Sequence, residues 1–179
     1  MFVALDLPEP ARAAIASWRD GLVAGRRDLR PVAPEALHVT LAFLAWQDVE
    51  DAERIAETAF SAAEGVGAPR LSAAGVRPLP PRGPRLFALE LEDEGERAVK
   101  LQAAVSDALE AGRWYRPEKR PFWPHVTLAR VKRGERAAPL EARAAPAEAF
   151  DADGITLYRS TLRPQGALYE PLGRARLRT

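Results

Sequence analysis

The chain has no cysteine and only two histidines. Without cysteine there are no disulfides and no thiolate metal sites, which fits a reducing compartment. Net charge is also lacking. The 26 Lys+Arg against 25 Asp+Glu leave a formal charge of +1. No large basic excess favours a nonspecific grip on long nucleic acid, although a local basic cleft stays open. No uncharged run approaches the ~20 residues of a membrane span. The first residues, MFVALDLP, have no basic n-region, and Asp6 and Pro8 interrupt their apolar run. They read as a first strand and not as a signal peptide. These absences lead to the expectation of a cytoplasmic protein without a membrane partner, with a monomer as the default. What is present is a core: 47% of the 179 residues are apolar, enough for one domain or two tightly joined halves. Nearly all the basic residues are Arg, beside abundant Ala and Pro. That bias denies weight to any arginine considered alone.

The expected elements alternate strand and helix, then repeat loosely. Phe2–Leu7 reads as a strand and Pro8–Ala24 as a helix, with a proline in the first turn and Ala14, Ile15, Trp18 and Leu22 at helical spacing. Residues 26–34 read as a loop and Leu37–Leu44 as a strand. Asp48 is a candidate cap for a helix to about Glu64 with Val49, Ala52, Ile55, Ala56 and Ala59 on one face. Leu71–Leu79 and Leu86–Leu91 read as strands around a proline-rich loop. Glu94–Ala111 reads as a third helix with Gly112 in the C′ place, and Arg113–Pro124 as an aromatic loop. His125–Val131 is a strand and Arg133–Ala147 an irregular connection. Ile155–Ser160 and Ala167–Pro171 close the chain as strands, with a hairpin expected across 163–166.

Both histidines open the same pentapeptide, His38-Val39-Thr40-Leu41-Ala42 and His125-Val126-Thr127-Leu128-Ala129, in copies that start 87 residues apart (38 and 125). Alternate strand residues share a face. Each copy therefore carries a His and a Thr on one face and Val and Leu on the other. If the polar faces confront each other across a cleft, two imidazoles and two hydroxyls converge on one small volume. That set suits phosphoryl chemistry without a metal. Hydroxyls donate to phosphate oxygens, one imidazolium protonates a departing alkoxide, and one neutral imidazole activates the attacking oxygen. The alternative for a lone strand histidine, a satisfied packing residue, loses force when two copies of one string hold every histidine in the chain. A zinc site is disfavoured because two His-x-Thr strands supply two nitrogens where zinc takes three or four protein ligands. No metal and no cofactor is expected.

The paired strings resemble the His-x-Thr-x motifs of the 2H phosphoesterase superfamily. HVTLAFL at His38–Leu44 and PHVTLAR at Pro124–Arg130 are similar to its bacterial and archaeal branch, the RNA 2′,3′-cyclic phosphodiesterases or 2′-5′ RNA ligase-like proteins. The opening strand and the tail YRSTLRPQGALY (Tyr158–Tyr169) extend the likeness over nearly the whole chain. The resemblance implies an α+β fold, bilobal. Two pseudo-symmetric lobes, each an antiparallel-rich sheet with packed helices, would enclose the cleft, and the two intertwined lobes would form a single domain over residues 1–179. It also implies metal-independent hydrolysis of 2′,3′-cyclic phosphate ends of RNA or nucleotides to 2′-phosphomonoesters. By the same resemblance His38 would be the proton donor to the departing 3′-oxygen, and His125 the proton acceptor that activates water. Thr40, Thr127 and Arg130 would bind the phosphate.

Arg130 poses a geometric question. It lies five residues beyond His125, so strict alternation puts it on the opposite face. It reaches the phosphate only if the strand twists, bulges or ends there. Phe43 stands at the equivalent place in the first copy, so the two halves of the phosphate site are unlike. Trp46, Tyr115, Phe122 and Trp123 are candidates for stacking a nucleobase, each against a packing role. Arg113, Arg116, Lys119 and Arg120 are candidates for steering an RNA backbone. Two other functions fit the same residues. One is a noncatalytic nucleotide- or RNA-binding module. The other is 2′-5′ ligation, which shares its groups with cleavage by microscopic reversibility.

Overall fold

In the computed structural model, residues 1–140, 144–146, 148–163 and 166–178 are described. The element order is β1 (Phe2–Asp6), α1 (Glu9–Val23), β2 (Leu29–Pro31), β3 (His38–Phe43), α2 (Ala52–Glu64), β4 (Arg70–Leu79), β5 (Leu86–Asp93), α3 (Arg97–Ala111), β6 (His125–Val131), β7 (Phe150–Asp151), β8 (Gly154–Arg163) and β9 (Gly166–Arg176). The fold is α+β, as the sequence implies. Among the described residues, nine strands form one sheet of order β7-β4-β5-β6-β3-β1-β8-β9, with β2 added on β6. Every strand pairing is antiparallel.

The antiparallel-rich sheets expected for the two lobes are continuous with each other in this one sheet. The motif strands β3 and β6 lie side by side and join the halves through one residue pair, Val39 opposite Val126. The Val and Leu faces of both motifs enter a single core with Val3, Leu5, Ile15, Ile55, Ala59, Leu101, Val105 and Leu109. Removing these side chains from water drives the packing, at about 1.5–3 kcal/mol for each large one. The opposite face of β3 and β6 carries the histidines.

The helices follow the expected periodicities, with corrected starts. Val49 is 53% exposed, because residues Val49–Asp51 form a 3₁₀ turn and α2 begins at Ala52. Its buried stripe is Ile55, Ala56, Ala59 and Ala63. Asp48 precedes the turn without making a side-chain capping bond. The cap that does form is Asp93, whose carboxylate accepts from the N–H groups of Ala98 and Val99 at 3.0 Å each. Gly112 ends α3 in right-handed backbone, and Arg113 takes the positive φ of 63°. Glycine is required at 112 because a Cβ there would stand 2.4 Å from the Trp114 ring.

The loop expected over 26–34 contains β2. Charge and Pro31 disguise a three-residue strand that, among the described residues, pairs only with the end of β6. β8 and β9 run further than expected, from Gly154 to Arg176, and the hairpin turn at 164–165 lies outside the described residues. So do residues 141–143 and 147 of the expected connection over 133–147. Among the described residues no helix is long and apolar enough to cross a membrane.

Candidate active site

The antiparallel join at Val39 and Val126 sets the geometry. One step away in each direction, His38 comes opposite Thr127 and Thr40 opposite His125. All four side chains point to the face away from the core. Each imidazole is then fixed in the same way. Nδ1–H of His38 donates to the Ala36 carbonyl at 2.8 Å, and Nδ1–H of His125 donates to the Trp123 carbonyl at 2.8 Å. A carbonyl only accepts, so both rings carry the proton on Nδ1 and keep Nε2 as the acceptor. In the neutral state Nε2 of His38 accepts from the Thr40 hydroxyl at 3.1 Å.

The surroundings differ. His38 stacks on Phe2 (centroids 5.0 Å apart) and meets Tyr169 edge-on at 5.4 Å. Burial pushes its pKa down to about 4. The Ala36 carbonyl and the Asp6 carboxylate oppose that shift, and the charges of Arg130 and His125 reinforce it. His38 is therefore neutral at pH 7. His125 stacks on Trp123 at 4.5 Å, with an interplanar angle of 16°.

The question of Arg130 is answered by a bulge. Thr127 faces Ala88 and Ala129 faces Phe87, so Leu128 is an extra residue in β6. Alternation resets there, and Arg130, opposite Leu86, returns to the face of Thr127. β3 does the same: Thr40 faces Ala4 and Ala42 faces Val3, so Leu41 is the extra residue and Phe43 swings to the histidine face. The carbonyls at the bulges are satisfied, Leu41 by the Gln102 amide (3.3 Å) and Leu128 by the Val32 N–H (2.9 Å). Each duplicated Leu is thus a switch point that brings the sixth motif residue back to the histidine face. Phe43 is 60% exposed there.

The strands beside the motifs repeat too. Phe2-Val3-Ala4-Leu5-Asp6 lies on β3 as Leu86-Phe87-Ala88-Leu89-Glu90 lies on β6, so Asp6 pairs with His38 and Glu90 with His125. Sequence reasoning missed both carboxylates. Asp6 accepts from Thr156 Oγ1 (2.7 Å), Tyr158 OH (3.2 Å) and Arg174 Nε (2.9 Å). Glu90 accepts from Trp123 Nε1–H (2.9 Å) and pairs with Arg77 through two contacts of 2.6 and 2.7 Å. Arg77 also lies over the Trp123 ring at 5.3 Å. The available signal was the Ala-Leu-acid string at 4–6 and 88–90, too short to stand alone.

The model of the family described as 2′-5′ RNA ligase superfamily matches residues 7–163. The chain belongs to that superfamily. A Thermus thermophilus protein named RNA 2′,3′-cyclic phosphodiesterase is 33% identical over 183 residues, covering 99% of this chain and 90% of its own length. A crystal structure of a protein from Thermus thermophilus matches with a TM-score of 0.80 at 33% identity, covering 99% of this chain and 97% of that one. Escherichia coli LigT complexed with 3′-AMP matches with a TM-score of 0.74 at 27% identity, covering 98% and 96%. In this superfamily member, His38, His125, Thr40, Thr127 and Arg130 all meet on one face.

The other candidates separate. Trp123 is engaged by His125, Glu90 and Arg77. Tyr115 and Phe122 pack against the core, and Trp46 is 80% exposed. Arg120 pairs with Glu118 at 3.3 Å. Arg113, Arg116 and Lys119 are exposed on the same loop. Among the described residues no group of three or more His, Asp or Glu is placed to hold a metal ion.

Proposed function

We propose that the protein hydrolyses 2′,3′-cyclic phosphate ends of RNA to 2′-phosphomonoesters, by acid–base catalysis between two histidines and without a metal or cofactor. The observation that carries this reading is the matched pair of tautomers: both imidazoles stand on one face of the sheet, and both Nδ1–H groups are held by carbonyls, which leaves Nε2 of each ring for chemistry. An imidazole held that way takes or gives a proton only at Nε2.

In the proposed reaction the cyclic phosphate sits between the rings. Nε2 of His125 removes a proton from water, whose oxygen forms the new P–O bond. The P–O3′ bond breaks, and the 3′-oxygen receives the proton on Nε2 of His38. The ring pair ends with its protonation states exchanged and is restored through solvent. Thr40 and Thr127 donate to the non-bridging oxygens, and Arg130 offers a charge-assisted contact. Phe43 presents its exposed ring to the base. The names of the relatives and the complex of LigT with 3′-AMP support a nucleotide substrate. We take the acting unit to be the single domain of residues 1–179, a monomer in the cytoplasm.

The reading is tested by incubating 2′,3′-cyclic AMP with the protein in EDTA and separating the products. 2′-AMP is expected. 3′-AMP would reverse the assigned polarity, and no turnover without added metal would remove the mechanism.

A further inference from the structure

Arg130, on the histidine face of β6, also lines a groove of roughly 1380 Å³ formed by the tip of the β4–β5 loop (Pro81, Gly83–Arg85), the end of β6 and the segment that follows it to Pro139. That is larger than the roughly 300–1,000 Å³ that enclose a small ligand. Six of the lining residues are cations, Arg30, Arg85, Arg130, Lys132, Arg133 and Arg136, against one acid, Glu135. All six are exposed. Among the described residues none of the six makes an ion pair, although Arg12, Arg26, Arg54, Arg70, Arg77, Arg159 and Arg174 all find carboxylates elsewhere. In a chain of net charge +1 this is a local concentration of like charge that repels itself until a polyanion neutralises it.

The groove adjoins the histidine face. Arg130 belongs to both, and Arg30 lies directly across from it on β2, on the same face. A terminal 2′,3′-cyclic phosphate occupies both ribose hydroxyls of the last nucleotide, so the rest of the strand can leave only through its 5′-oxygen. The next phosphates must then run along whichever wall leads away from the histidines. We propose that this wall is the Arg30–Arg136 groove, and that it holds the sugar–phosphate backbone of single-stranded RNA on the 5′ side of the reacting end. The inference rests on the phosphodiesterase reading for the position of the terminus. It goes beyond that reading in assigning a second site, and with it a preference for oligonucleotides over cyclic mononucleotides.

The test compares wild type with the triple variant Arg85→Gln, Arg133→Gln and Arg136→Gln, which leaves Arg130 and the motif residues untouched. Each is assayed on 2′,3′-cyclic AMP and on a short oligoribonucleotide ending in a 2′,3′-cyclic phosphate. The variant is expected to raise KM for the oligonucleotide about tenfold and to leave kcat and KM for cyclic AMP unchanged. The log–log salt dependence of the oligonucleotide KM should become shallower by about 2, at ~0.7 for each phosphate that is no longer neutralised. An equal effect on both substrates, or none on either, overturns the groove assignment. If wild type turns over neither substrate, the phosphodiesterase reading fails by itself. The groove is then read by fluorescence anisotropy with an oligoribonucleotide ending in a 3′-phosphate. The same change of salt slope supports it, and identical slopes overturn it.

Discussion

Burial holds His38 near a pKa of about 4, yet its proposed role requires a proton on Nε2. The substrate resolves the conflict. Lowering the pKa from 6.5 to about 4 disfavours the imidazolium by roughly 3 kcal/mol. A phosphate charge placed about 4 Å from the ring, at an effective dielectric of about 20, favours it by roughly 4 kcal/mol. The two terms nearly cancel, so an anion in the cleft should return His38 to about 6.5 or above. The assay is clean because the chain has two histidines and therefore two Cε1–H resonances, assigned with a His125→Gln variant. In the free protein the His38 signal should titrate around pH 4, and with saturating phosphate at least 2 units higher, on the order of that calculation. Titration of free His38 near 6.5, or a midpoint indifferent to phosphate, would refute the reasoning. Stability carries the same signature. As the pH falls from 6.5 toward 4 the unfolded chain takes up this proton before the folded one, so stability is lost on acidification, by up to roughly 3 kcal/mol. Denaturant midpoints of His38→Gln should fall less over that window than those of wild type.

Arg130→Gln should weaken phosphate binding and raise the His38 midpoint in the free protein, since the Arg130 charge lowers it; an unmoved midpoint would place the guanidinium away from the ring. Replacing the 3′-oxygen of the cyclic substrate by sulfur gives a leaving group that departs without a proton. His38→Ala should then recover most of its lost kcat while His125→Ala does not, and equal rescue would erase the donor assignment. Trp123→Ala removes both the stacked ring and the donor to Glu90, so kcat should fall with KM nearly constant, and Trp123→Phe should restore part of it. Gly154→Ala would put a Cβ 2.6 Å from the Ala175 carbonyl; a loss of about 1–3 kcal/mol is expected from urea unfolding, and an unchanged midpoint would contradict that packing.

The motif strands, their inward Val and Leu, their outward His and Thr, and the three helices were legible because a period of two or of 3.6 was written into adjacent residues. Less local features were not. The bulges at Leu41 and Leu128 leave no mark, since leucine is what an uninterrupted strand would also carry there, and so the face of Arg130 could not be fixed. The join of the halves at Val39 and Val126 is a register between segments 87 residues apart. β2 was hidden by Arg30 and Pro31, which suit an edge and read as a loop. Asp6 and Glu90 look like ordinary strand ends until pairing sets each beside a histidine. The aromatic floor under His38 gathers Phe2, Tyr158 and Tyr169 from three strands, a grouping only the sheet order creates.

The most direct measurement is kcat on a 2′,3′-cyclic nucleotide, with EDTA present, for wild type, His38→Ala, His125→Ala and the double variant. Two rings working on one phosphorus predict a loss of about 10²–10⁴ for each single change and a double loss well short of the product. A single variant that keeps wild-type turnover while folded would contradict the account.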